Sequence, residues 1–201
     1  MTESMLAPLS AALDGGARLV DGVTGAQWDL PTPCTDWTVR QLLNHVVGGN
    51  RLFARVFRGE PLPPLSELGR RAAEDQLGDD AAAAYRSSGD DVLDALGSPG
   101  VLERTFTVPF GTLPAPALVR LRTVETLVHG WDLARATGQE APFPDDLAEH
   151  ELGFSRELLG RIPEGRHPFA PTRSMPDDAP ALDRLVALLG RDPSWTGAAG
   201  S

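Results

Sequence analysis

Three residues in this 201-residue sequence have the types and placement to hold a metal ion: His45, Glu125 and His129. Two imidazole nitrogens and one carboxylate form a donor set that leaves open positions on zinc or another first-row divalent ion. Glu125 and His129 are four residues apart, so on a helix they lie one turn apart on one face. Spacing alone is weak, because with 4 histidines an E-x-x-x-H arises by chance in roughly one such chain in five. A surface Glu–His pair and a hydrogen-bonded core histidine explain the same residues.

Position adds weight. Around the helix that carries them, Leu118, Leu121, Val124, Val128 and Trp131 define an apolar arc, with Glu125 and Asp132 inside it and His129 at its edge. Glu125 is therefore expected to be buried, which a carboxylate tolerates when paired, neutralised or bound to metal. On an earlier helix Leu42, Val46, Gly49, Leu52, Phe53 and Val56 mark the buried face, and His45 lies on it. Gly49, one turn later, is expected to leave room beside the imidazole.

The elements that must position these groups are helices. A first helix is expected over Ser4 to Val23, weakened by Gly15-Gly16, followed by a loop with Gly25, Pro31 and Pro33. A second runs from the T-x-x-Q capping box at Thr38 and Gln41 to about Arg58. After a proline-rich connector, Gly59 to Leu68, a third covers Asp79 to Leu96, with Asp79 or Asp80 as its cap and Gly97 as its stop. Val101 to Thr112 reads as extended, a short hairpin, before a fourth helix from Pro116 to Thr137 ended by Gly138. A fifth spans Pro144 to Arg161; then come an irregular piece from Pro163 to Asp177 and a short helix from Asp178 to Leu189. The fold class is all-α, a four-helix bundle with sites between facing helices. The whole chain, 1–201, reads as one domain in which 166–201 is a C-terminal extension packed on the bundle.

The segment Pro33-Cys34-Thr35-Asp36-Trp37-Thr38-Val39-Arg40-Gln41-Leu42-Leu43-Asn44-His45 resembles the first motif of the DinB-like, mycothiol-dependent maleylpyruvate isomerase family, a Trp-Thr-Val-Arg helix start followed by the first histidine ligand. Glu125-Thr126-Leu127-Val128-His129-Gly130-Trp131-Asp132-Leu133-Ala134 resembles its second, with the glutamate and the other histidine. The ending, Leu182, Arg184-Leu185 and Leu189-Gly190-Arg191-Asp192-Pro193 up to Trp195, is similar to short single-domain members and carries no obvious chemistry. The resemblance implies a DinB-like bundle in which His45, Glu125 and His129 bind a divalent metal, zinc first, with nickel, iron or manganese compatible. Distant DinB-like relatives have a third histidine where this chain has Glu125, so the chain sides with the isomerase branch.

What that branch implies is a metal that holds mycothiol as thiolate for attack on a small electrophilic substrate, ending in isomerisation or thiol transfer. The isomerase type carries a further C-terminal domain contributing to its active site, for which these 201 residues leave no room. Thiol transfer, a Lewis-acid reaction without thiol, and a non-catalytic metal-stabilised bundle therefore stand beside isomerisation. No individual catalytic residue is assigned, and association into a homodimer stays open.

Asp132 either orients His129 or pairs with Arg135. Trp37 and Trp131 read as core aromatics. Cys34, just before a helix start, is either an activated thiol or, as lone loop cysteines usually are, a small packed residue. His150, between Glu149 and Glu151, reads as solvated, and His167 lies in a proline-bounded loop; neither is expected as a ligand. A net charge of -10 argues against nucleic acid and anionic lipid as partners and leaves small molecules. All 18 basic residues are arginine, a compositional bias that carries no functional reading. A single cysteine, no leader-like N-terminus and no long apolar run point to the cytoplasm. Phosphate-loop, nucleophile-elbow and paired-cysteine motifs are missing.

Overall fold

A computed structural model describes residues 2–64, 67, 74–108, 111–161 and 170–197. Among them are six α-helices and one hairpin: α1 (Thr2–Asp21), α2 (Val39–Arg58), α3 (Ala81–Gly97), β1 (Thr105–Val108), β2 (Gly111–Pro114), α4 (Ala115–Thr137), α5 (Asp145–Gly160) and α6 (Ala181–Leu188). Helices α1 to α4 form a four-helix bundle in which α1 packs on α3 and α4, and α2 packs on the same two. Helices α5 and α6 pack on each other and on the outer side of α4. Among the described residues no helix is long and apolar enough to cross a membrane.

Local chemistry sets the ends of the two helices that matter most. At the start of α2, Thr38 accepts from the Gln41 amide and Gln41 Oε1 accepts from the Thr38 amide at 2.9 Å, the reciprocal box the sequence predicts. Gly59, at φ 73°, ends the helix. Asp80, of the two expected caps, starts α3 by accepting from the Ala83 amide at 2.9 Å. The antiparallel hairpin, with Phe106 opposite Leu113, leads without a loop into α4, which Gly138 closes at φ 69°.

Helix α1 runs unbroken through Gly15-Gly16 because those glycines make room for neighbours: a Cβ on Gly15 would lie 2.6 Å from the Phe143 ring and one on Gly16 would meet the Tyr85 hydroxyl. The last helix is shorter than the sequence predicts, starting at Ala181 after Pro180 and ending at Leu188. Of the expected irregular piece, residues 162–169 lie outside the described ones, and 170–177 contain no regular element.

Helix α4 is the centre of the molecule. It touches α1, α2, α5 and α6, so most of its circumference is buried, and polar residues such as Arg122, Thr123 and Thr126 are enclosed with the apolar ones. The hydroxyls of Thr123 and Thr126 stay satisfied by donating to the carbonyls of Val119 and Arg122, at 3.0 and 2.8 Å.

Candidate metal centre

Helix α2 presents His45 seven residues beyond its Thr38 cap, and α4 presents Glu125 and His129 from facing turns. One donor atom from each residue lies within 4.8 Å of the other two. Ligand bonds of about 2.0–2.2 Å in a tetrahedral site set donors about 3.3–3.6 Å apart, inside that outer limit. The two imidazoles meet edge to face, with ring centroids 5.1 Å apart and planes at 78°.

The surroundings of each candidate donor set its charge or orientation. His45 is pushed down to about 4 by burial, then by His129, against the pull of Glu125, so near neutrality it is the uncharged imidazole that binds metals. His129 Nδ1 lies 3.1 Å from Oδ2 of the fully buried Asp132. A neutral ring that donates there keeps Nε2 as its free lone pair. Burial raises the Asp132 carboxyl, but hydrogen bonds from His129 and Arg191 outweigh it and hold the group below the usual carboxylate value.

Glu125 corrects one expectation. Its side chain is 42% exposed rather than buried. Burial still acts on its carboxyl, so it sits deep yet within reach of water; Arg122 first, then the two histidines, offset that burial and keep its affinity for protons low. The buried member of the pair is Arg122, 1% exposed, whose Nη1 donates to Glu125 Oε2 at 3.1 Å. Its guanidinium lies 5.7 Å from the Phe53 ring centre, and its Nε and Nη2 have no hydrogen-bond partner among the described residues.

Comparison with known proteins places this bundle. The family model of the mycothiol maleylpyruvate isomerase N-terminal domain matches residues 9–134, which include all three donors. The chain belongs to this family. Two uncharacterized proteins of Mycobacterium tuberculosis, from strains CDC 1551 / Oshkosh and H37Rv, are 35% identical to it over 181 residues, covering 90% of this chain and 93% of theirs. Crystal structures of a mycothiol-dependent maleylpyruvate isomerase and of a histidine-to-alanine mutant share its fold, with TM-scores of 0.60 and 0.65 and identities of 19% and 17%. Each similarity covers 79% of this chain and 69% of the solved one.

Within this member of the mycothiol maleylpyruvate isomerase N-terminal domain family, the neighbours of the candidate donors match their sequence reading in part. Trp37 is half-buried and packs against the edge of the hydrophobic core, with its ring centroid 4.6 Å from that of His45 and 5.9 Å from that of His129. Trp131 is in the core, and its indole N–H donates to Asp183 Oδ1 at 3.0 Å. Of the two roles open to Asp132, the structure selects the one toward His129; Arg135 instead reaches Asp183 at 3.6 Å and covers the Trp131 ring. Gly49 makes room for Arg122 rather than for the imidazole, since a Cβ there would lie 2.5 Å from Arg122 Nη1.

Cys34 is half-buried, and burial pushes its thiol up against the lowering field of Arg191, which argues for the packed reading over an activated nucleophile. His150 is 60% exposed, as expected beside acidic residues, although its partner Glu151 is buried and also held by Arg120. His167 lies outside the described residues. Two neighbours of the candidate site escaped the sequence reading. Arg122 stood three residues before Glu125, a spacing that signals an ion pair. Arg191 belonged to an ending read as chemically silent, yet its side chain reaches Asp132.

Proposed function

We propose that the protein is a divalent-metal-dependent enzyme in which His45, Glu125 and His129 hold the ion and a low-molecular-weight thiol, mycothiol, is the co-substrate. The convergence of two imidazoles and a carboxylate within 4.8 Å carries this reading. The donor chemistry fits zinc first, with nickel, iron and manganese compatible. Membership of a family described by mycothiol and maleylpyruvate isomerisation supplies the thiol and the small electrophilic substrate as partners. Held by these three residues, a divalent ion would stabilise a coordinating thiol as its thiolate.

The chain's own residues do the rest. His45 stays uncharged as a donor, His129 is oriented by Asp132, Glu125 supplies one negative charge, and Arg122 keeps Glu125 ionised. Trp37 walls one side of both imidazoles and limits the water around them. The thiolate adds to an electrophilic carbon of the substrate, forming a C–S bond while the adjacent π electron pair shifts onto the substrate. Reversal after bond rotation returns the thiol and an isomerised product; protonation instead leaves a thioether. The lone cysteine, Cys34, suits a reducing cytoplasm as the setting.

The test is metal content per chain in protein purified without a histidine tag, for wild type and for His45→Ala, Glu125→Ala and His129→Ala. Near-stoichiometric metal in wild type, lost from the three folded variants, is expected, followed by thiol-dependent consumption of electrophiles. Wild type that takes up no divalent ion would sink the proposal.

A further inference from the structure

The turn after α6 reaches across the molecule to the metal centre. Arg191 Nε donates to Asp132 Oδ1 at 3.0 Å and Nη2 donates to Oδ2 at 2.9 Å, a two-pronged grip on a carboxylate with no exposure. Asp132 Oδ2 is also the atom that faces His129 Nδ1 at 3.1 Å. Guanidinium, carboxylate and imidazole therefore form one chain of contacts that ends on a donor of the candidate site.

The backbone aims the arginine. Gly190 takes φ 87°, its amide donates to the Ala187 carbonyl at 3.0 Å, and the Arg191 amide donates to the Val186 carbonyl at 2.9 Å. This paired helix-ending motif needs a left-handed residue. It also needs a small one, because a Cβ on Gly190 would lie 2.6 Å from the Ala170 carbonyl oxygen. Leu189-Gly190-Arg191 thus reverses the chain in one fixed geometry with the arginine facing α4.

We propose that Arg191 is a positioning residue for the metal centre: by holding both oxygens of Asp132 it fixes the ring orientation and tautomer of His129. The inference rests on the metal-site reading above. A buried carboxylate needs several donors to keep one orientation. Without Arg191, Asp132 keeps only the imidazole N–H, and both side chains gain alternative rotamers. Anchoring α6 is a separate task met by other contacts: Trp131 and Arg135 hold Asp183, and the Ala181 amide donates to Asp145 Oδ1 at 2.9 Å. Those contacts give the control.

Full-length wild type, Arg191→Met, Arg191→Lys and Asp183→Asn are compared at neutral pH by chelator-competition zinc affinity, by nitrogen NMR of the His129 ring in metal-free protein, and by urea unfolding. Arg191→Met is expected to weaken zinc about 10- to 100-fold and to turn a single Nδ1-protonated tautomer into a mixture. Arg191→Lys recovers part of both, since one ammonium cannot match the planar fork. Asp183→Asn lowers stability while tautomer and zinc affinity stay as in wild type. Wild-type tautomer and affinity in Arg191→Met would overturn the proposal, as would an Asp183→Asn protein that matches Arg191→Met in both. If wild type binds no zinc, the metal reading fails, and the tautomer comparison still decides the role of Arg191.

Discussion

Arg122 is the enclosed member and Glu125 the water-reached member of an ion pair one helical turn long, with Nη1 3.1 Å from Oε2 and side-chain exposures of 1% and 42%. The asymmetry predicts unequal costs for removing either partner from the metal-free protein. Glu125→Ala strands a buried cation whose Nε and Nη2 already lack partners, at about 3 kcal/mol or more. Arg122→Met leaves a carboxylate that water can solvate and fills the space with apolar volume, so it stays within about 1 kcal/mol of wild type. Urea unfolding of both variants decides; equal losses would show that packing, not charge, governs the pair.

Gly49 tests the same guanidinium from the other helix. Its missing Cβ is what lets Arg122 Nη1 sit where it does, 2.5 Å from where that carbon would lie. In the wild-type background Gly49→Ala is expected to destabilise, because overpacking at about 1–3 kcal/mol exceeds the helix-propensity gain of about 1 kcal/mol. In an Arg122→Met background the clash eases and the same substitution is expected to stabilise. The reversal of sign, read by thermal or urea unfolding, is the outcome that matters; destabilisation in both backgrounds would place the obstruction elsewhere.

The contrast between α2 and α4 explains what the sequence made legible. Helix α2 has a reciprocal cap and one buried face, so Thr38, Gln41, Arg58 and the inward His45 followed from local rules. Helix α4 is wrapped by four others, and an arc drawn from Leu118, Leu121 and Val124 cannot say which polar residues end up enclosed. That is why Glu125 was expected to be buried while Arg122, one turn away, is the enclosed group. Contacts across long separations were beyond local pattern altogether: Arg191 meets Asp132 across 59 positions, and Gly49 meets Arg122 only through the packing of α2 on α4. The convergence of His45, Glu125 and His129 was legible because two share a helix face and the third lies on a buried stripe beside a readable cap.

Trp37 offers an optical report on the site. Its indole stacks 4.6 Å from His45 at a tilt of 34°, so an ion held by that imidazole lies within a few atoms of the fluorophore. Cobalt(II), with low-lying d–d states, is expected to quench a distinct component of the emission of the four tryptophans, and zinc to reverse it by competition. Trp37→Phe removes the response while metal content stays as in wild type. Quenching that survives in Trp37→Phe would place the ion near another tryptophan.

The depressed His45 sets the acid behaviour of the metal-free fold. Its imidazole titrates at about 4 in the folded protein, against about 6.5 in an unfolded chain. Between those values the unfolded state binds more protons, so stability rises with pH through that window and is fully present above it. The deficit at the acid end is about 1–3 kcal/mol. Glu125 and Asp132 are shifted in the same direction from a lower starting value: their stabilisation is present above the ordinary carboxylate range and is lost only as pH falls through their lowered folded values. The histidine window therefore lies above the carboxylate one, and the two separate experimentally. Urea unfolding of metal-free wild type from about pH 3 to 8 should show the slope between about 4 and 6.5, and His45→Gln should flatten it there while leaving the acid limb below it. An unchanged slope in His45→Gln would assign the window to another group and remove the argument that this histidine is held uncharged for a metal.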